Sequence, residues 1–387
     1  MSRKVTVTII LLCVALFLGG VLLYTIMKGG GDRTDPIRNH GEKWRIGYYE
    51  GGPYTNYTLT LRGVITGLAK IGWIEDIVIP EFSDSEDSKM LWDYLSKNAK
   101  SEYIQFVSDA YWSADWNKEM RKQEKESALK RLSLEKNVDM VIAMGTWAGQ
   151  DLANTMHSVP TIILSASDPV GAGIVKSNEK SGFDHIVARC APKRYISQMQ
   201  LFHDIFGFKR IGVVFEDSKE GRIYANIEDL KKVAERRGFE IIECHAKDIG
   251  LTEEECRQEI VRCYKELAPR IDALWIGLHR GESVKFMPEI LRPMFEHKVP
   301  TWYSEGSKGA RRGALLSIYM KNYIPVGEWA AAMMARIFHG ARPGELDQIY
   351  ETPNEIVINL ETAKIIGFEP PPGIISAADE IYEKIEQ

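Results

Sequence analysis

The chain has 387 residues, 44% of them hydrophobic and 27% charged, with a net charge of −5. That profile excludes a disordered chain, and the length suits two α/β lobes better than one ordinary domain. The acidic balance, with no basic stripe and no Cys/His cluster at zinc spacing, excludes a nucleic-acid partner and a zinc module.

The amino terminus carries the first strong signal. Ser2-Arg3-Lys4 is basic, and Val5–Met27 (VTVTIILLCVALFLGGVLLYTIM) is almost wholly apolar. A run of that length suffices to cross a bilayer as one helix. It exceeds the usual core of a cleaved signal, so residues 1–27 are read as a transmembrane anchor, with a signal sequence as the alternative. The basic flank puts the short end in the cytoplasm and the large part outside, periplasmic or extracellular. Residues 28–43 are Gly-rich and polar and read as a flexible linker, so folded structure is expected from Trp44 onward.

From Trp44 short apolar runs alternate with helical patterns. WRIGYY is a strand, TLRGVITGLAKIGW an amphipathic helix, DIVIPEF a strand, SEDSKMLWDYLSKNA a helix and EYIQFVS a strand. NKEMRKQEKESALKRLSLEK is a long charged helix. DMVIAMG and VPTIILSAS are buried strands flanking TWAGQDLANTM. Then SASDPVGAGIVKS, Ser165–Ser177, packs an Asp-Pro and two glycines into a hinge-like stretch. The pattern restarts with the helix PKRYISQMQLFHDIFG and the strand KRIGVVFED. YANIEDLKKVAERRG, FEIIECHA, TEEECRQEIVRCYKELA, IDALWIGL, SVKFMPEILRPMFEH and VPTWYSE alternate helix and strand. PVGEWAAAMMARIFHG is a small-residue helix.

Such a run of βα units predicts two doubly wound, Rossmann-like lobes with a hinge and a cleft between them. The expected division is 44–168 plus 313–342 for the first lobe and 169–312 plus 343–387 for the second. Ser165–Ser177 is the expected crossover, where Pro169 sets direction and Gly171 and Gly173 allow close approach. Four cysteines lie outside the anchor. A disulfide from Cys244 to Cys256 or Cys263, or four free thiols, are both compatible with the spacing.

Ligands of such sheets sit at the carboxyl ends of strands, which nominates the loops there. Gly51 and Gly52 follow the first strand as a ligand cradle or a plain turn, and Tyr54 follows them as a stacking residue or a surface one. Thr146 opens a helix, as its cap or as a ligand contact, and Trp147 offers an aromatic platform. Ser167 and Asp168 end the next strand, where Asp168 braces the backbone or meets an amine. In the second lobe Glu216, Arg222 and Tyr224 follow KRIGVVF, Arg280 follows IDALWIGL and Glu305 follows VPTWY. The two acids with Arg222 and Arg280 point to a polar, zwitterionic small molecule.

Several segments in collinear order resemble a known family. VPTIIL runs into Asp168-Pro169-Val170-Gly171-Ala172-Gly173-Ile174-Val175, and NVDMVIAMGTWAGQDLA, FGFKRIGVVFED, PVGEWAAAMMARIFHGARPGEL and ETPNEIVINLETAKIIGFEPP follow the same pattern. From Trp44 to the end the chain is similar to extracytoplasmic substrate-binding proteins of ABC transporters with the type I periplasmic-binding-protein fold, in the group that includes tryptophan and tyrosine binders. The resemblance implies capture of a solute such as an amino acid and delivery to ABC permease subunits, with the membrane reached through the N-terminal helix. A membrane-anchored sensor for a signalling partner is the alternative. Two family elements are missing: an Asn-x-Thr-Gly after the crossover, where Gly182–Arg189 stand, and an Asn-Ser pair, replaced within Glu216–Tyr224. No G-x-S-x-G, H-E-x-x-H or P-loop is present, so neither catalysis nor a cofactor is expected.

Overall fold

The computed structural model describes residues 33–82, 87–319, 322–352 and 355–386. Val5–Met27, read as the anchor, lies outside them, and among the described residues no helix is long and apolar enough to cross a membrane.

Two sheets organise the chain. The first holds β1 (Trp44–Glu50), β2 (Ile104–Ser113), β3 (Met140–Met144), β4 (Thr161–Leu164) and β5 (Ile186–Ala188), all parallel, in the order β2-β1-β3-β4-β5. The second holds β6 (Arg210–Phe215), β7 (Glu240–His245), β8 (Ala273–Ile276), β9 (Thr301–Tyr303), β10 (Leu316–Tyr319), β11 (Glu355–Asn359) and β12 (Ala378–Tyr382). Their order is β12-β11-β10-β9-β8-β6-β7, with β10 and β11 antiparallel and the other neighbours parallel. Helices cover both faces, which is why β3 and β4 are buried at every position and read as apolar runs broken only by Thr161.

The first lobe is completed from a distant part of the chain. The helix Ile324–Phe338 lies against the helix Thr55–Lys70 at backbone contact, because Gly63, Gly67 and Gly327 occupy the crossing. A Cβ on Gly327 would stand 1.8 Å from the carbonyl carbon of Gly63, and one on Gly63 would stand 2.4 Å from the Tyr323 carbonyl oxygen. Lys70 and Glu328 close the edge of this contact at 2.8 Å.

The lobe boundaries differ from those expected. Ser165–Ser177 does not pass between the lobes. It turns back into the first, because Ile186–Ala188 pairs with Thr161–Ile163 of β4. The chain crosses after β5, at Arg189–Arg194, so residues 169–188 belong with the first lobe. Leu316–Tyr319 pairs with β9 and β11, so the second lobe extends past residue 312. The chain returns to the first lobe for the helix Ile324–Phe338 and crosses a third time near Gln348–Tyr350. The first and third crossings pair: Cys190 N–H donates to the Gln348 carbonyl at 2.8 Å and Tyr350 N–H to the Cys190 carbonyl at 2.9 Å.

Three local expectations also change. Residues 33–43 are not a free tether: Trp73 Nε1 donates to the Thr34 carbonyl at 2.8 Å, Trp44 Nε1 to Ile37 at 3.0 Å and His339 Nε2 to Asp35 at 2.7 Å. DIVIPEF forms no strand. Its backbone is engaged by the Tyr94 hydroxyl at the Val78 carbonyl, and Val78 is 87% exposed. SVKFMPEILRPMFEH breaks into short turns of helix at Pro288 and Pro293, where the missing N–H and the ring interrupt the ladder. Cys244 is bonded to Cys263, and Cys190 and Cys256 are buried free thiols.

Candidate functional site

Parallel strands deliver their carboxyl ends to one edge of each sheet, and the two edges meet across a cleft. Tyr54, just after β1, reaches Glu305, just after β9, with 3.4 Å between its hydroxyl and Oε2. Glu305 lies deep in the cleft, its side chain 6% exposed. It accepts from the Tyr195 hydroxyl at 3.1 Å and stands 3.6 Å from Arg194 Nη2. Arg194 and Tyr195 come from the first crossing. Asn56 links Tyr54 (3.1 Å) to Tyr323 (2.7 Å), which stands where the chain returns to the first lobe. One carboxylate thus gathers groups from both lobes and from the hinge.

An aromatic wall flanks it. Tyr57 packs edge-on against Tyr54 with centroids 5.2 Å apart. Its hydroxyl fills the space beside Gly145, where a Cβ would fall 1.8 Å away, and Gly145 has φ +85°. Only glycine suits that position, which explains the Gly-Thr-Trp turn. Trp147 is 3% exposed, edge-on to Trp116 at 5.7 Å and under the Arg121 guanidinium at 4.6 Å. Its Nε1 has no hydrogen-bond partner among the described residues. From the other lobe, the Tyr224 hydroxyl meets the Thr146 hydroxyl. Asn226 is buried in a left-handed conformation at φ +58°, and its Oδ1 is also without a partner among the described residues. Burial raises the phenols of Tyr54 and Tyr57 well above their usual range, with Glu305 adding to the effect. These hydroxyls are neutral donors at physiological pH.

Behind the wall, Glu50 ends β1 fully buried. The hydroxyls of Tyr111 (2.7 Å), Tyr48 (2.9 Å) and Ser113 (3.1 Å) donate to it. Burial pushes its pKa up to about 7 despite those donors. Further out, the cleft opens into a cavity of about 510 Å³ between the loop Asp115–Glu119 of the first lobe and Ile249–Thr252 with Arg280 of the second.

A family model described as ABC transporter substrate binding protein matches residues 111–382. The chain belongs to this family. A tyrosine-binding protein from Clostridioides difficile is 27% identical over 233 residues, which is 60% of this chain and 64% of the relative's length. A Streptococcus pneumonia ABC domain in complex with L-Trp has the same fold, with a TM-score of 0.65 and 19% identity over 88% of this chain and all of that one. A ligand-free, open substrate-binding protein with adhesive properties from Clostridium difficile also shares it, with a TM-score of 0.58 and 22% identity over the same shares.

In this substrate-binding protein, Tyr54, Thr146, Trp147, Tyr224 and Glu305 converge on the inner cleft, and Arg280 lines its mouth. Thr146 does not cap its helix, which starts at Gly145 without a side-chain cap. Trp147 is a buried wall rather than an exposed platform. Ser167 is half-buried in the turn after β4. Asp168 in that turn braces it, accepting from the N–H groups of Val170 (3.1 Å) and Gly171 (2.9 Å). Glu216 is committed to its own lobe, holding the Asp248 and Ile249 N–H groups at 2.8 and 2.7 Å. Arg222 pairs with Glu228 at 3.2 Å and lies over the Phe215 ring. Sequence reasoning missed Tyr57, Trp116, Arg194, Tyr195 and Asn226. Tyr57 was findable, three residues beyond Tyr54 on one helix face. Trp116 and Asn226 have non-glycine left-handed backbones, which leave no local signal.

Proposed function

We propose that the chain captures a small zwitterion carrying an aromatic ring, outside the cytoplasmic membrane, and delivers it to the permease subunits of an ABC transporter. Val5–Met27 would hold it at the membrane with its N-terminus inside. The observation that carries this reading is the convergence on Glu305. A carboxylate 6% exposed, at the join of two lobes and beside aromatic rings, offers a partner for a ligand ammonium. The hydroxyls of Tyr54, Tyr195 and Ser304 already donate to it, which leaves about one of a carboxylate's roughly four acceptor positions for the ligand. Trp147 Nε1 and the backbone at the start of the helix Gly145–Leu152 offer donors for the ligand's carboxylate. The name of the tyrosine-binding relative and the L-Trp in the pneumococcal domain are consistent with such a ligand. Contacts from both lobes are what let a ligand favour the closed state, and the residues bind without making or breaking bonds.

The test is calorimetric titration of the full chain in mild detergent with L-tyrosine and L-tryptophan, before and after Glu305→Gln. Neutralising a buried charged partner should weaken binding roughly 10- to 100-fold. No binding of either amino acid by folded chain would sink the proposal.

A further inference from the structure

At the cleft mouth lies a cavity lined from both lobes. We propose that it is a second subsite, and that the ligand is a short peptide whose aromatic residue enters the inner cleft while its C-terminal carboxylate lies in the cavity against Arg280. This rests on the reading above, in which a zwitterion with an aromatic ring binds between the lobes.

Four features carry it. The cavity, about 510 Å³, has walls from both lobes, and ligand pockets of roughly 300–1,000 Å³ are typical. Trp116 belongs to both compartments: it lines the cavity, and its ring lies 5.7 Å from Trp147 and 6.3 Å from Tyr57. A ligand in one compartment therefore has the other within one residue's reach.

The first wall is also built to a fixed shape. Asp115 and Trp116 are both held at positive φ, +47° and +55°, a conformation non-glycine residues resist. Trp116 N–H donates to the Gly51 carbonyl at 2.9 Å and its Nε1 to Pro53 at 3.0 Å, and a Cβ on Gly52 would stand 2.7 Å from Trp116 N. The opposite wall is fixed by the two backbone bonds into Glu216.

Arg280 supplies the chemistry. Its Nε faces Asp248 at 3.4 Å and its Nη2 bonds the Leu251 carbonyl and Cys256 Sγ. Its Nη1 takes no partner among the described residues, on a side chain 30% exposed that lines the cavity. Lys118, across the gap, is exposed and lines the same space. Two cations from opposite lobes, one with its Nη1 unspent, suit a carboxylate. The lining also holds Asp115, Glu119 and Glu255; Glu255 is committed to Thr252, accepting from its N–H and hydroxyl at 2.8 Å each.

The experiment titrates the full chain in detergent with three probes: L-tyrosine, L-tyrosyl-L-alanine and L-tyrosyl-L-alaninamide, which lacks the terminal carboxylate. The dipeptide should bind about tenfold or more tighter than tyrosine, and the amide should lose that advantage. Arg280→Gln should bring the ratio of dipeptide to amide affinity to about one. Lys118→Gln, a change on an exposed side chain, should lower the same ratio and serves if Arg280→Gln disturbs its loop. Tyrosine binding tighter than the dipeptide, or equal affinities for dipeptide and amide, would overturn the subsite and leave the amino-acid reading standing. Absence of binding by all three probes to folded chain would overturn both.

Discussion

Glu50 is a carboxyl group that accepts from the hydroxyls of Tyr48, Tyr111 and Ser113 and, among the described residues, pairs with no cation. The donors favour the ionised form and burial opposes it, and burial wins, raising the pKa from 4.5 to about 7. The sign of the linkage follows. An unfolded chain releases this proton near 4.5, whereas the folded chain holds it until about pH 7. The stability Glu50 contributes is therefore full below about 4.5 and is lost as pH rises through about 7. Glu50→Gln keeps the shape and removes the ionisation. In urea melts its stability relative to the parent should rise between pH 5 and pH 8; a difference constant with pH would show that Glu50 is ionised throughout. At this scale the sequence was a partial guide. It placed Tyr54, Trp147 and Glu305 at the cleft because residues after parallel strands go there. It misjudged Glu216 and Arg222, whose partners lie in their own lobe: Asp248 and Ile249 sit 32 and 33 residues away from Glu216, beyond the reach of any local pattern.

Elements were most legible where burial is complete. β3 and β4 are buried at every position and apolar at all but Thr161, and the helix Thr55–Lys70 shows its buried face in its spacing. Short strands were missed: Ile186–Ala188 and Leu316–Tyr319 have three and four residues, and such runs carry no distinguishing period. DIVIPEF shows the opposite error. Its apolar residues cover the first lobe from outside the sheet, where Ile77, Ile79 and Phe82 touch the core. The glycines of the helix pair could be read only as small residues until the partner was known. Gly327→Ala pushes a methyl group into the Gly63 backbone, and such overpacking should cost about 1–3 kcal/mol. Gly373 has open space around it, so Gly373→Ala should change urea stability by less than about 0.5 kcal/mol. Equal effects of the two changes would refute the close crossing.

At the scale of the molecule, each lobe has a core of its own, Ile223 and Tyr224 of the second pack against the first, and Glu305 stands at a polar junction between the two. Tyr54 is the first lobe's direct contact with Glu305. Tyr54→Phe keeps the ring and deletes that bond, which at 3.4 Å is long, so the closed form loses roughly 0.5–1.5 kcal/mol. The ligand-free variant should scatter X-rays with a larger radius of gyration than the parent, and saturating ligand should bring the two together. Superimposable ligand-free curves would mean that closure does not depend on this contact. The two-lobed plan was legible from the order of βα units. The exact crossings were not, because the Asp-Pro-Gly stretch advertises a hinge where the chain merely turns.

The contact between the helices Thr55–Lys70 and Ile324–Phe338 joins residues 258 positions apart, as in Lys70–Glu328. A chain leaving the ribosome or threading a translocon head first presents the first of these helices long before the second. Until the second arrives, the glycine groove stays uncovered and the first lobe waits, while the intervening stretch carries most of the other lobe's strands. The amino-terminal lobe, although its strands emerge first, should therefore stay unfinished until most of the other lobe has emerged, and that interval is when this chain is most exposed to chaperones and proteases.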